Sequence, residues 1–148
     1  MRQNYIRVVG AGLAGTLVMT AIGLWIAPAM GLPRMNPAEM LASKMGGVAI
    51  LGWLGHMMIG SILALIYAAF AASRLPGPPA VRGAVFSLAP WLMAQIVVIP
   101  MMGMPLFSGS MTMAMASLVG HLVYGAVVGG IVGDSALQGE GRPTADAP

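Results

Sequence analysis

The chain has no cysteine, which excludes disulfides, thiolate metal sites and cysteine nucleophiles. Charge is nearly as scarce. Only 7% of the 148 residues are Asp, Glu, Lys or Arg, against roughly a quarter in a soluble domain. So little polar surface cannot cover a water-soluble globule. The seven basic residues are scattered and form no cluster or stripe, so the net charge of +3 does not point to nucleic acid. Paired carboxylates, a nucleophile–base set and a phosphate loop are all missing from the sequence.

What the chain does have is long apolar runs. Hydrophobic residues make up 58% and the mean hydropathy is +0.87. Four runs stand out, at Val8–Met30, Val48–Ala72, Gly83–Met104 and Met111–Val132, and none contains Asp, Glu, Lys or Arg. About 20 residues at 1.5 Å per residue cross a hydrocarbon core of roughly 30 Å. Lipid cannot satisfy open backbone groups, and the runs lack barrel-type alternation, so each is expected to be a helix. The expected fold is an all-α membrane protein. It would be a four-transmembrane-helix bundle in a single domain over residues 1–133, with a Gly-, Pro- and charge-rich tail over 134–148 that is expected to be disordered.

The first connection, Gly31–Gly47, is the longest. Asn36 suits a helix cap, Pro37 the first helical position and Glu39 the first turn, so a short interfacial helix is expected there, ended by Gly46–Gly47. The second connection is a turn rich in proline, with Pro76, Pro78 and Pro79. With four spans, Arg2, Arg7, Arg74, Arg82 and Arg142 share one side, and Arg34 and Lys44 the other. The bias puts both termini in the cytoplasm and Trp25 and Trp53 near the outer interface. A cleaved signal peptide, with Ala27–Ala29 as its small-residue site, is disfavoured because the first apolar run is too long.

The chain also reads as a duplication. Pro28-Ala-Met-Gly-Leu-Pro33 recurs as Pro100-Met-Met-Gly-Met-Pro105, and Gly55-His56-x-x-x-Gly60 recurs as Gly120-His121-x-x-x-Gly125. The first two spans would then match the last two as parallel helix-pair repeats.

Candidate functional residues follow from this pattern. Gly52, His56, Gly60, Ala64, Ala68 and Ala72 share one helix face at a spacing of four, and so do Ser117, His121, Gly125, Gly129 and Gly133. Small residues let membrane helices approach closely, so both histidines are expected to face the bundle interior. An ionisable group within a span is a functional candidate. His56 and His121 could hold a metal or haem or relay a proton. Alternatively, each fastens helices by a hydrogen bond, with Thr16, Thr20, Ser61 and Ser117 as available partners. Among the 15 methionines, Met101, Met102, Met104, Met111, Met113 and Met115 crowd the expected outer ends of the third and fourth spans. Thioethers select Cu(I), so Met102 and Met113 join the metal candidates, although methionine is also an ordinary apolar filler.

Gly10-Ala-Gly12-Leu-Ala-Gly15 matches a dinucleotide fingerprint, but it lies inside an apolar span and no acidic residue precedes Glu39. These glycines are read as packing positions. Gln95, Thr16 and Thr20 are expected to bond across helices, and Pro90 and Pro100 to kink the third span.

The pattern Gly12-Leu-Ala-Gly15-Thr16-Leu-Val-Met19-Thr20, with Gly55-His56-x-x-x-Gly60 and His121-Leu-Val-Tyr124-Gly125, resembles a family of small bacterial four-span membrane proteins of unknown function. The resemblance implies a bacterial inner-membrane protein and supplies no activity or ligand. The residues favour a non-enzymatic, multi-pass protein without a resident cofactor, in a structural, accessory or small channel-like role. The lipid bilayer is its partner, along with a second copy or another membrane subunit. Two other readings stay open. One is a copper- or haem-binding redox or metal-handling protein using His56 and His121. The other is a small-solute transporter with a cavity between the repeats.

Overall fold

A computed structural model describes residues 4–133; the tail expected to be disordered from Asp134 onward lies outside the described residues. Four helices are long and apolar enough to cross a membrane: α1 (Tyr5–Ala29), α3 (Ala49–Ala71), α4 (Pro79–Met101) and α5 (Met111–Val132). A short helix, α2 (Pro37–Lys44), lies between the first two, and a left-handed turn over Leu106–Gly109, with Phe107 and Ser108 at φ +53° and +58°, precedes the last. No strand occurs among the described residues.

The helix ends follow local chemistry. The Asn36 side chain accepts from the backbone N–H of Ala38 and Glu39, at 3.1 and 3.4 Å, and so starts α2. Gly46 and Gly47 leave it with φ of +73° and +76°, and the Gly47 N–H returns to the Ala42 carbonyl at 2.8 Å. The Ser110 hydroxyl accepts from the Met113 N–H and starts α5. Helix α4 begins at Pro79, four residues before its apolar run. Proline fits the first turn, and Arg82 is accommodated there by bonding the Ala72 carbonyl at the end of α3.

Helices α1 and α4 share an unusual C-terminal end. Each carries a π turn, Ile22–Ile26 and Ala94–Val98, just ahead of a proline, Pro28 and Pro100. A proline ring clashes with the carbonyl four residues back and offers no N–H. Widening the preceding turn relieves both problems. Each end then closes alike. Leu32 N–H bonds the Ala27 carbonyl at 2.9 Å, and Met104 N–H bonds the Ile99 carbonyl at 3.2 Å. Gly31 and Gly103 supply φ values of +78° and +82°. Pro90 lies within the α-helical part Pro79–Met93.

The bundle is held by backbones in direct approach. A Cβ built on Gly12 of α1 would lie 2.7 Å from the Gly60 carbonyl oxygen of α3 and 3.0 Å from the Ala64 Cβ. On Gly83 of α4 it would overlap the Gly125 carbonyl of α5, and on Gly129 the Pro79 carbonyl. On Gly15 of α1 it would meet the Tyr124 ring of α5 at 2.8 Å. Thus α1 packs on α3 and α5, and α5 also packs on α4. Helices α3 and α4 meet chiefly at the end near the chain termini, where the Tyr67 and Phe86 rings sit 5.4 Å apart. The apolar core gathers at that end, around Val8, Ala64, Tyr67, Ala68, Tyr124 and Val128. Helix α2 lies against α3, where Gly52 makes room for Ala38 and Ala42.

Gly83→Ala and Gly125→Ala should each destabilise the bundle by about 1–3 kcal/mol, the usual cost of overpacking. Gly10→Ala and Gly130→Ala meet no atom within 4 Å and should be neutral or stabilising by up to about 1 kcal/mol. Unfolding in mixed detergent micelles measures both.

Candidate functional site

The buried polar residues of the spans are Thr16 and Thr20 on α1, His56 on α3, and Ser87 and Gln95 on α4. In a bilayer each needs a partner inside the protein, and each has one. The Thr16 hydroxyl donates to the Gly12 carbonyl and the Thr20 hydroxyl to the Thr16 carbonyl, both at 2.7 Å. Thr20 Oγ1 also lies 3.1 Å from His56 Nε2. A hydroxyl has one proton, and Thr20 gives its own to Thr16. The network therefore assigns the His56 proton to Nε2, donating to Thr20 and leaving Nδ1 as a bare lone pair.

His121 adopts the opposite tautomer. Its Nδ1 lies 2.8 Å from the Ser117 carbonyl, one turn back on α5. A carbonyl only accepts, so Nδ1 carries the proton and Nε2 is bare. The ring is half-buried.

The two histidines lie at one level. The Tyr124 hydroxyl donates to the Gly60 carbonyl at 2.6 Å, joining α5 to α3. These helices run parallel. His56 is one turn ahead of Gly60, and His121 is nearly one turn ahead of Tyr124.

A second polar group adjoins His121. Gln95 Nε2 donates to Ser117 Oγ at 3.2 Å, so Ser117 joins Gln95 and His121. Gln95 Oε1 is buried without a hydrogen-bond partner, in a side chain that is 1% exposed. Further along the same seam, Trp91 Nε1 donates to the Ala114 carbonyl at 3.2 Å. The Trp91 ring rests 6.2 Å from that of Phe107.

The remaining candidates fall elsewhere. Gly52, Gly60, Ala64, Gly125 and Gly129 sit at close backbone approaches. Gly133 ends α5 with φ +59°, its N–H bonding the Gly129 carbonyl. Met113 and His121 lie on one continuous helix, eight residues apart, or about 12 Å along the axis. They therefore cannot share one ion. Met102 is half-buried just past the end of α4, seven residues beyond Gln95. Among the described residues, no three His, Cys, Asp or Glu side chains gather as a metal cluster. Sequence reasoning had not singled out Tyr124 or Trp91 as candidates. Tyr124 was signalled only by its place between His121 and Gly125.

A family model covers residues 2–140, nearly the whole chain, histidines included. The chain belongs to DUF6789, a family of unknown function. No curated protein and no solved structure matches it. In this DUF6789 protein the site is built wholly from contacts between its own helices. It is a set of interhelical ties, from α1 to α3 through Thr20–His56, from α5 to α3 through Tyr124, and from α4 to α5 through Gln95–Ser117.

Such ties in membrane helices are worth about 0.6 kcal/mol on average, rarely beyond about 1.7 kcal/mol. Tyr124→Phe, which removes only the hydroxyl, should cost about 1 kcal/mol. A double-mutant cycle of Thr20→Val with His56→Leu should give a coupling of similar size. Both are read from unfolding in detergent.

Proposed function

We propose that this protein is a non-enzymatic, multi-pass subunit of the bacterial inner membrane, structural or accessory in role, with both termini in the cytoplasm. The observation that carries this reading is where the intramembrane polar groups spend their hydrogen bonds. His56, Gln95, Trp91 and Tyr124 each bond across to a neighbouring helix, and His121 bonds its own. A rigid scaffold needs just such fastening, and no span carries a carboxylate to couple ion movement.

The charge pattern supports the orientation. Arg7 donates to the Ile131 carbonyl, Arg74 to the Phe70 carbonyl and Arg82 to the Ala72 carbonyl. Three cations thus close helix C-termini at the end that holds the chain termini, where dipole and positive-inside preference agree. The matching prolines and glycine caps of α1 and α4, each after a π turn, support descent from a duplicated helix pair, while α3 has diverged from α5 by a π turn at Tyr67–Ala71.

One observation favours a second reading. His56 Nδ1 and His121 Nε2 make no hydrogen bond and lie at the same level. A metal joining the two histidines would use these nitrogens. A haem held by both Nε2 atoms would first have to take His56 from Thr20.

Two measurements separate these readings. The chain has no native cysteine, so single cysteines report topology cleanly. Ser43→Cys should react with a membrane-impermeant maleimide in spheroplasts, and Ser73→Cys only after lysis; the reverse pattern overturns the orientation. Elemental and absorption analysis of purified protein should give no metal or haem that disappears in His56→Ala or His121→Ala. A stoichiometric group lost in both variants would replace the scaffold reading with the second.

A further inference from the structure

Methionine is distributed unevenly across this molecule. Ten of its fifteen methionines fall in residues 30–45 and 101–115, the two stretches that the topology places at the end of the bundle away from the termini. Only Met19, Met57, Met58 and Met93 lie in the interiors of the spans, which are otherwise built mainly from Leu, Ile, Val, Ala and Gly. At the opposite end, the turn 73–82 contains none.

Two of these side chains share a concave site. Met111 and Met115 lie four apart on the first turns of α5, on one face of a continuous helix. They line a groove of about 370 Å³ with Thr112, Ala116, Val119 and, from the first connection, Leu32. Met111 is 67% exposed and Met115 42% exposed, so neither side chain is locked into the protein core. Helical neighbours at this spacing have Cβ atoms roughly 5–6 Å apart. Unbranched thioether side chains with three rotatable bonds can close that gap on a single ion.

The chemistry at this end selects soft ions over hard ones. Its one acidic side chain among the described residues, Glu39, faces Arg34 at 3.7 Å. Hard divalent cations want clustered carboxylate oxygens, which are absent here among the described residues. Thioethers are ligands for Cu(I) and its relatives.

We propose that Met111 and Met115 form a thioether site for a soft monovalent cation of the Cu(I) and Ag(I) class, at the mouth of the groove between α5 and the first connection. The site is separate from the histidine pair and does not depend on the scaffold reading. Ag(I) is the convenient probe, because it is redox-inert.

The test uses full-length protein in detergent micelles, labelled with ¹³C at the methionine methyl groups and titrated with silver nitrate. The expected result is saturable binding of about one Ag(I) per chain, with shifts concentrated on the Met111 and Met115 methyls. Met111→Leu with Met115→Leu keeps volume and apolarity, so folding is retained, and affinity should fall at least tenfold. His56→Ala with His121→Ala should leave the affinity unchanged. Even shifts over all exposed methionines, unchanged binding in the leucine variant, binding that follows the histidines, or no binding at all would each overturn the proposal.

Discussion

The structure depends on backbones touching where side chains are absent. Lipid offers helices no hydrophobic incentive to associate, because its tails are as apolar as leucine. What remains is close contact, and it is greatest where glycine meets a carbonyl. Gly12 against Gly60 joins α1 to α3, and Gly83 against Gly125 joins α4 to α5. Ala64 continues the first seam and Gly129 the second. At this range an inserted methyl group has nowhere to go, so the seams fix the relative height of each helix pair. That height in turn sets which polar side chains can meet across the bundle.

The polar ties are consequences of those heights. Gly60 serves twice. Its missing side chain admits the Thr16 hydroxyl of α1, and its carbonyl receives the Tyr124 hydroxyl of α5. His56 one turn away then falls opposite Thr20, and His121 stands level with it on α5. On the far seam, Gln95 reaches Ser117 with its amide nitrogen and leaves its oxygen unmatched in a dry setting. The termini end of the bundle is filled by tyrosine, valine and alanine. The opposite half holds the ties of Thr20 to His56, Gln95 to Ser117 and Trp91 to Ala114.

Much of the architecture is legible in the sequence, for reasons particular residues make plain. Uncharged runs longer than a bilayer is thick can only be spans, and Asn36-Pro37 with Gly46-Gly47 brackets a short helix through capping chemistry alone. The start of α4 is less legible. Arg82 looks like a loop residue until α3 offers it the Ala72 carbonyl. The π turns are invisible to hydropathy: those of α1 and α4 are marked only by the proline that follows, and the one at Tyr67–Ala71 of α3 lacks even that mark. The polar site is legible only in part. A spacing of four names a helix face but no neighbour. Neighbours depend on how far each helix is displaced along its seam, and nothing local to His56 or Tyr124 encodes that.

The π turns of α1 and α4 act as angular shims. Each holds one residue more than an α turn, so everything after it is rotated by roughly 100° relative to an uninterrupted helix. Ala27 and Ile99, both buried just past these turns, owe their inward aim to that rotation. Removing one residue from either turn would re-index the helix tip, swinging its buried face toward lipid while leaving length and greasiness almost unchanged. The tips of these two helices are therefore places where residue count, rather than residue type, carries the structural information.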